Sequence, residues 1–238
     1  MNILFKKLFK KSSAILVLLI TVFGLEAQSV QQLYSIAAEN YDRSALYDLI
    51  EVLESDNTIG GVMLKAKSYW RLQFIAYSEE SRKEVNKYGK KALQYLEKAR
   101  EAGKESLSVM RYEVFIMQKL ADGGIFAGTV WGPRIISVSS QLERHIPQDY
   151  ATRFSRAITL VGAPPLFGGN REAGVDTLSS LIKQYPDSVD LKVQRANGYR
   201  KMGNMTAALT DIENVLERQP NNLLALRIKR ELEKYLQE

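Results

Sequence analysis

From Gln28 onward, apolar residues recur three and four positions apart, as at Leu46, Leu49, Ile50 and Leu53. That spacing lines one face of an α-helix. No stretch holds the strict alternation of a half-buried strand. The periodic runs last roughly a dozen residues and are separated by short Gly, Pro, Asn or Asp breaks, the connection style of paired helices. The pattern predicts an all-α chain.

The beginning of the chain follows a different pattern. Lys6, Lys7, Lys10 and Lys11 precede the apolar run from Ala14 to Gly24, and Leu25-Glu26-Ala27-Gln28 follows. A charged start, a short apolar middle and a small residue before the cut are what export machinery reads, and the run is short for a membrane-spanning helix. Residues 1–27 are therefore expected to be a signal peptide cleaved after Ala27, leaving no integral membrane span and placing the mature protein in the periplasm or outside the cell. An uncleaved anchor is the alternative. Residues 28–238 are expected to form one continuous domain, because hydrophobic and charged contents of 45% and 25% are ordinary for a globular unit.

Loss of the leader removes four lysines and one glutamate, which takes the formal net charge from +6 to +3. The remaining cations alternate with acids along the helices instead of gathering on one stripe, which argues against nucleic acid as a partner. With no cysteine, disulfides, thiolate metal sites and a cysteine nucleophile are excluded.

Internal repeats carry the most information. Between Val189 and Asn222 the order is Ala196-x-x-Tyr199, Gly203, Ala208-x-x-x-Ile212 and Pro220-Asn221-Asn222, and Pro186 lies 34 residues before Pro220. These slots and this period resemble a tetratricopeptide repeat (TPR). Small residues such as Ala196 and Ala208 let two helices approach, Tyr199 and Ile212 fill the space between pairs, and Gly203-Asn204 suits a tight turn with a left-handed residue. Tyr150 to Ser188 repeats the unit, with Ala157, Leu160, Gly169, Gly174, Leu178 and Pro186 in the slots and five extra residues in a Gly162–Asn170 loop. Leu166 and Phe167 of that loop are expected to tuck against a neighbouring repeat.

Weaker copies are placed at Glu26 to Thr58, at a second unit with Ala66, Tyr69, Ala92, Leu96 and Ala99 and a polar insertion at Ser78 to Asn86, and at Leu107 to Asp149 with an apolar loop from Gly123 to Gly132. The expected architecture is an α-solenoid of about four to five TPR-type helix pairs closed by a C-terminal capping helix, residues 223–238. On that cap Leu223, Leu226, Leu232 and Leu236 face inward, while Arg227, Lys229, Arg230, Glu233 and Lys234 stay in water.

Few residues suggest chemistry. His145, the single histidine, sits near a helix end where it suits terminal carbonyls. The stretches Gly123–Gly128 and Gly168–Asn170 lack the ending of a phosphate loop and read as turns. Carboxylates such as Glu79-Glu80 and Asp211-x-Glu213 read as exposed helix charges, and Trp70, Trp131, Phe126 and Phe154 as core or as the lining of a ligand pocket. Trp131 falls in the apolar loop, closing the core or forming a lip over a cavity. No nucleophile and base stand at an interpretable spacing, so no catalytic residue, metal or cofactor is assigned and the chain is not expected to be an enzyme.

In TPR proteins the first helix of each pair lines the concave groove. The resemblance thus implies a partner groove formed by Phe154, Ile158, Val161, Asp190, Val193, Asn197, Arg200, Lys201 and Arg227. Asn197, Arg200, Lys201 and Arg227 would receive a peptide carboxylate, although Val193 occupies a slot that is basic in the family's carboxylate-clamp members. The expected function is an exported, non-catalytic adaptor for a protein or peptide of the cell envelope, with a homo-oligomer possible. The alternative is an accessory of periplasmic solute transport. It rests on the Pro164-Pro165-Leu166-Phe167-Gly168-Gly169-Asn170 loop, which is similar to the T components of tripartite (TRAP) transporters, usually lipoproteins. This chain has no cysteine to lipidate.

Overall fold

A computed structural model describes residues 27–237. Apart from Ala27, the expected signal peptide lies outside the described residues. Among them there are eleven α-helices and no strand: α1 (Ala27–Glu39), α2 (Arg43–Val52), α3 (Ile59–Ser78), α4 (Arg82–Glu101), α5 (Ser106–Ala121), α6 (Ile125–His145), α7 (Tyr150–Gly162), α8 (Arg171–Gln184), α9 (Val189–Lys201), α10 (Met205–Arg218) and α11 (Leu223–Gln237), with a 3-10 turn at Pro165–Phe167. None of these helices is long and apolar enough to cross a membrane. The fold class is an all-α solenoid of helix pairs with a terminal cap.

The chain parts into two compact units. One comprises residues through Ala76 with Lys83–Val109, the other Tyr77–Arg82 with Met110–Glu238. In the first, the periodic apolar positions are buried as their spacing predicts: Leu46, Leu49 and Leu53 on or just after α2, Ala66 on α3, and Ala92, Leu96 and Ala99 on α4. Lys65 is also buried there, and its ammonium donates to the backbone oxygens of Glu54 and Asp56, at 3.4 and 2.8 Å. A buried cation tied to carbonyls avoids the full cost of leaving water.

The second unit repeats one start signal. Asp149, Ser188 and Asn222 each stand two residues after a proline, and each accepts a backbone N–H three residues on, from Thr152, Leu191 and Ala225. Asn170 and Asn204 do the same for α8 and α10, from Ala173 and Ala207. Such caps satisfy amides that the first turn leaves unpaired. Gly203, expected left-handed, has φ +81° between α9 and α10.

Gly174 holds the slot where Ala208 stands in the next pair, and the geometry shows why it is glycine. A Cβ there would lie 2.7 Å from Val161 Cγ2 and 3.0 Å from both Ala157 O and Val161 N, so α7 and α8 meet backbone to side chain. Gly174→Ala is expected to lower stability by about 1–2 kcal/mol in chemical denaturation, overpacking outweighing the better helix propensity of alanine. An unchanged midpoint would mean that the two helices have slack.

Several loop expectations are corrected. The polar insertion at Ser78 to Asn86 is mostly helix: α3 runs to Ser78, α4 starts at Arg82, and the turn uses Glu80 at φ +61°. The expected Gly123–Gly132 loop shrinks to Asp122–Gly124, and α6 continues through Gly128, Gly132 and Pro133. Two glycines and a proline weaken a helix without forbidding it, and here Thr129 Oγ1 donates to Phe126 O at 2.8 Å near the helix start. Trp131 is therefore half-buried on a helix, and no residue from Asp122 to Arg134 is buried. Leu166 and Phe167 do not tuck in; they are exposed, Leu166 by 88%.

On the cap the buried stripe is Leu224, Ala225, Ile228 and Leu232, with Leu223 and Leu226 outside it and the side chain of Leu236 beyond the described residues. The register turns slightly because Leu224, Ile228 and Leu232 follow a regular four-residue spacing, which drifts little around a helix.

Candidate partner-binding site

Within the second unit, the first helices of successive pairs, α7, α9 and α11, touch one another in turn, while the second helices α8 and α10 are held farther apart. The concave side therefore lies on the first helices. Polar groups from several elements meet on α9 and α11 there. Arg200 reaches Glu231 at 3.1 Å and donates to Asn197 Oδ1 at 3.0 Å. Arg227 approaches the same carboxylate at 3.4 Å and donates to the backbone oxygen of Tyr77 at 2.7 Å.

Tyr77, in the last turn of α3, is the centre of a second cluster. The Lys119 ammonium and the Arg227 guanidinium both lie over its ring, 4.2 and 4.6 Å from the centroid. Cations favour that electron-rich face, the more so away from water. The Tyr77 hydroxyl donates to Asp122. Burial, with the Asp122 charge behind it, pushes the phenol up to about 12, so it stays a neutral donor.

Lys119 and Lys201 occupy the last turns of α5 and α9. Cations at such positions ordinarily serve the terminal carbonyls. Here arginines serve them: Arg82 donates to Lys119 O and Leu120 O, and Arg171 to Lys201 O at 2.8 Å. Burial lowers the Lys119 ammonium to about 8, helped by Arg227 and Lys201 and opposed by Asp122 and Asp190. Burial also lowers Lys201, with Asp122 opposing.

These shifts link to stability. The unfolded chain holds the Lys119 proton up to about pH 10.4, whereas the folded chain releases it near 8. Its charge thus opposes folding fully below about pH 8, and the opposition fades as pH rises toward 10. Lys119→Met is expected to raise Tm by about 2–4 °C at pH 7 and by less at pH 10. Equal shifts at both would show that the ammonium is well hydrated.

The paired helices, their short turns and the capping helix can now be set beside known proteins. No protein-family model matches the chain, and no curated protein sequence does. Among solved structures, it is similar to TTC0263, a thermophilic TPR protein in Thermus thermophilus, with a TM-score of 0.57 and 17% identity over 84% of this chain and 97% of the other. The chain has the tetratricopeptide-repeat fold. A looser likeness, with a TM-score of 0.42 and 18% identity over 86% of this chain and 100% of the other, is to YrrB, a TPR protein with an unusual peptide-binding site.

Within this TPR fold, the residues expected at the groove divide into two sets. Asn197, Arg200, Lys201 and Arg227 fall among the polar groups just described, and Asp190 is exposed at the start of α9. Phe154, Val161 and Val193 are instead buried, at 8%, 3% and 2% exposure, which corrects the expectation that they line an open face. Phe154 packs on Phe115 and Tyr150, with centroids 5.6 and 5.7 Å apart, and Ile158 packs against the same core. Arg227, expected in water, has a side chain only 13% exposed, because Tyr77 and Glu231 enclose it. Tyr77, Lys119, Asp122 and Glu231 were not among the expected site residues. Two lysines each closing a first helix just before a glycine turn were the available signal.

Proposed function

We propose that the chain is a non-catalytic adaptor that holds a protein or peptide partner against the inner face of α9 and α11. The observation that carries this reading is the concentration of partly open polar side chains, Asn197, Arg200 and Lys201, on first helices of a TPR fold. Donors in fixed directions recognise the carboxylates and backbone carbonyls of an extended peptide. The absence from the sequence of a nucleophile and base at an interpretable spacing supports a binding role over a catalytic one.

The partner is proposed to belong to the cell envelope, on the strength of the lysine-rich start and the apolar run from Ala14 to Gly24. In-cell cross-linking of the full-length protein, followed by mass spectrometry of the envelope fraction, tests both parts. The expected result is one enriched envelope protein, lost on joint Asn197→Ala and Arg200→Ala substitution, and an intact mass lacking residues 1–27. A partner pattern indifferent to those substitutions would remove the groove from the reading, and a protein confined to the cytoplasm would remove the envelope.

A further inference from the structure

The outer face of α6 is unlike those of the other second helices of its unit. α8 turns Arg171, Glu172 and Asp176 to water, α10 turns Thr206, Thr210, Glu213 and Glu217, and neither exposes a large apolar side chain. Over its first three turns α6 instead exposes Ile125, Phe126, Val130 and Ile136, by 86, 89, 67 and 54%, with Thr129 and Pro133 among them. At 100° per residue, Ile125, Phe126, Thr129, Pro133 and Ile136 fall on one side of the helix, centred near Thr129. Gly132 borders that side, and a Cβ built on it meets nothing within 4 Å. The face therefore carries both large projecting side chains and an open gap.

Side chains of this exposure present about 100–200 Å² each, so the face holds on the order of 500 Å² of apolar surface. A standard protein interface takes about 800 Å² from each partner, a little over half of it apolar, so the face is large enough for the apolar core of one. A lipid surface suits it less well. Helices that lie in a membrane surface carry lysine and arginine on their polar side. α6 has no lysine, and of its two arginines Arg134 approaches the buried Glu113 at 3.6 Å.

We infer that this face of α6 docks against the same face of a second copy of the chain, the two helices antiparallel and related by a two-fold axis at Thr129. In that register Ile125 of one copy lies over Gly132 of the other, and Phe126 meets Pro133, each contact made twice. The missing Cβ of Gly132 lets the helix axes approach. A parallel pair would set Ile125 against Ile125 and Phe126 against Phe126, leave the two glycine gaps facing each other, and align the helix dipoles unfavourably. The face lies on a second helix, so pairing does not draw on the first-helix groove and stands or falls apart from the adaptor reading.

Sedimentation velocity of the protein expressed from the full-length sequence, at micromolar concentration, should show a dimer. Phe126→Glu should weaken it about tenfold or more while leaving the thermal melt of the monomer unchanged, because the side chain is exposed there. Gly132→Leu separates specific pairing from apolar stickiness: it adds apolar surface and helix propensity, yet fills the gap and should also weaken the dimer. With no native cysteine, single cysteines report the register. Thr129→Cys should oxidise to a disulfide-linked dimer. Ser140→Cys, exposed on the same side of α6 but about 30 Å along the axis from its counterpart, should not. A monomer at these concentrations, a dimer indifferent to Phe126→Glu, tighter association of Gly132→Leu, or Ser140→Cys linking as readily as Thr129→Cys would each overturn the proposal. So would a monomer that floats with vesicles of phosphatidylethanolamine and phosphatidylglycerol and is released by Phe126→Glu, which would assign the face to lipid.

Discussion

Replacing Asp211 by alanine is expected to cost about 2–4 kcal/mol of stability, the largest effect of any single charge removal in the second unit. The Asp211 carboxylate takes two bonds from Arg195, at 2.8 and 2.7 Å, and is itself 8% exposed. A third bond joins the same guanidinium to Ser179 at 3.2 Å. The pair thus ties α9 to α10 and to α8. The carboxylate's bonds hold the Arg195 proton more tightly than water does. Without Asp211, an arginine with 21% of its side chain exposed keeps its charge and loses its only carboxylate partner among the described residues. Asp211→Asn, which keeps one acceptor, should cost less than half as much. Urea titration of both variants decides it, and equal midpoints for wild type and Asp211→Ala would mean that Arg195 reorients into water.

Leu178→Ala should be of similar size, about 2–4 kcal/mol, for a different reason. Leu178 is fully buried on α8, in the cluster formed by Phe154, Ala157, Val161, Val175, Leu181 and Leu191. The surrounding side chains come from α7, α8 and α9, and the close contact at Gly174 keeps α8 from sliding into the space left behind. A rigid surround makes truncation costlier, because the cavity cannot collapse. The loss should be larger than for Leu166→Ala, which removes an exposed side chain and should leave the midpoint within about 0.5 kcal/mol. Similar losses for the two variants would contradict the packing described.

The difference between these two leucines shows what the sequence disclosed. Periodicity of three and four identified the buried positions of α2, α4, α8 and α10, since core burial is repeated every turn and leaves a regular trace. It did not identify the partners of charged residues. Asp211 reads as a surface acid beside Glu213 because nothing local marks Arg195, sixteen positions earlier, as its mate. Phe154 and Val193 were misplaced for a related reason: a first-helix register tells which side faces the groove, whereas packing across helices, such as the aromatic contacts of Phe154, decides how deep a side chain sits. Gly128, Gly132 and Pro133 read as a loop because their own helix propensity is low and that of Thr129, Val130 and Trp131 between them does not offset it. Lys119 was missed because its significance lies in arginines distant in sequence that take over the capping role at its helix end and at that of Lys201.

One contact bears on how the molecule comes apart. A stack of repeats joined only to neighbours frays from its ends, the terminal helix exchanging its amide protons first. The bond from Arg227 to the backbone of Tyr77 spans 150 positions, and the shared ring adds Lys119 to the same knot. The last helix is thereby pinned to the middle of the sequence. Its amides from Ala225 to Leu232 should exchange about as slowly as those of α5, and cutting the chain before Leu223 should quicken exchange around Lys119, far from the cut in sequence.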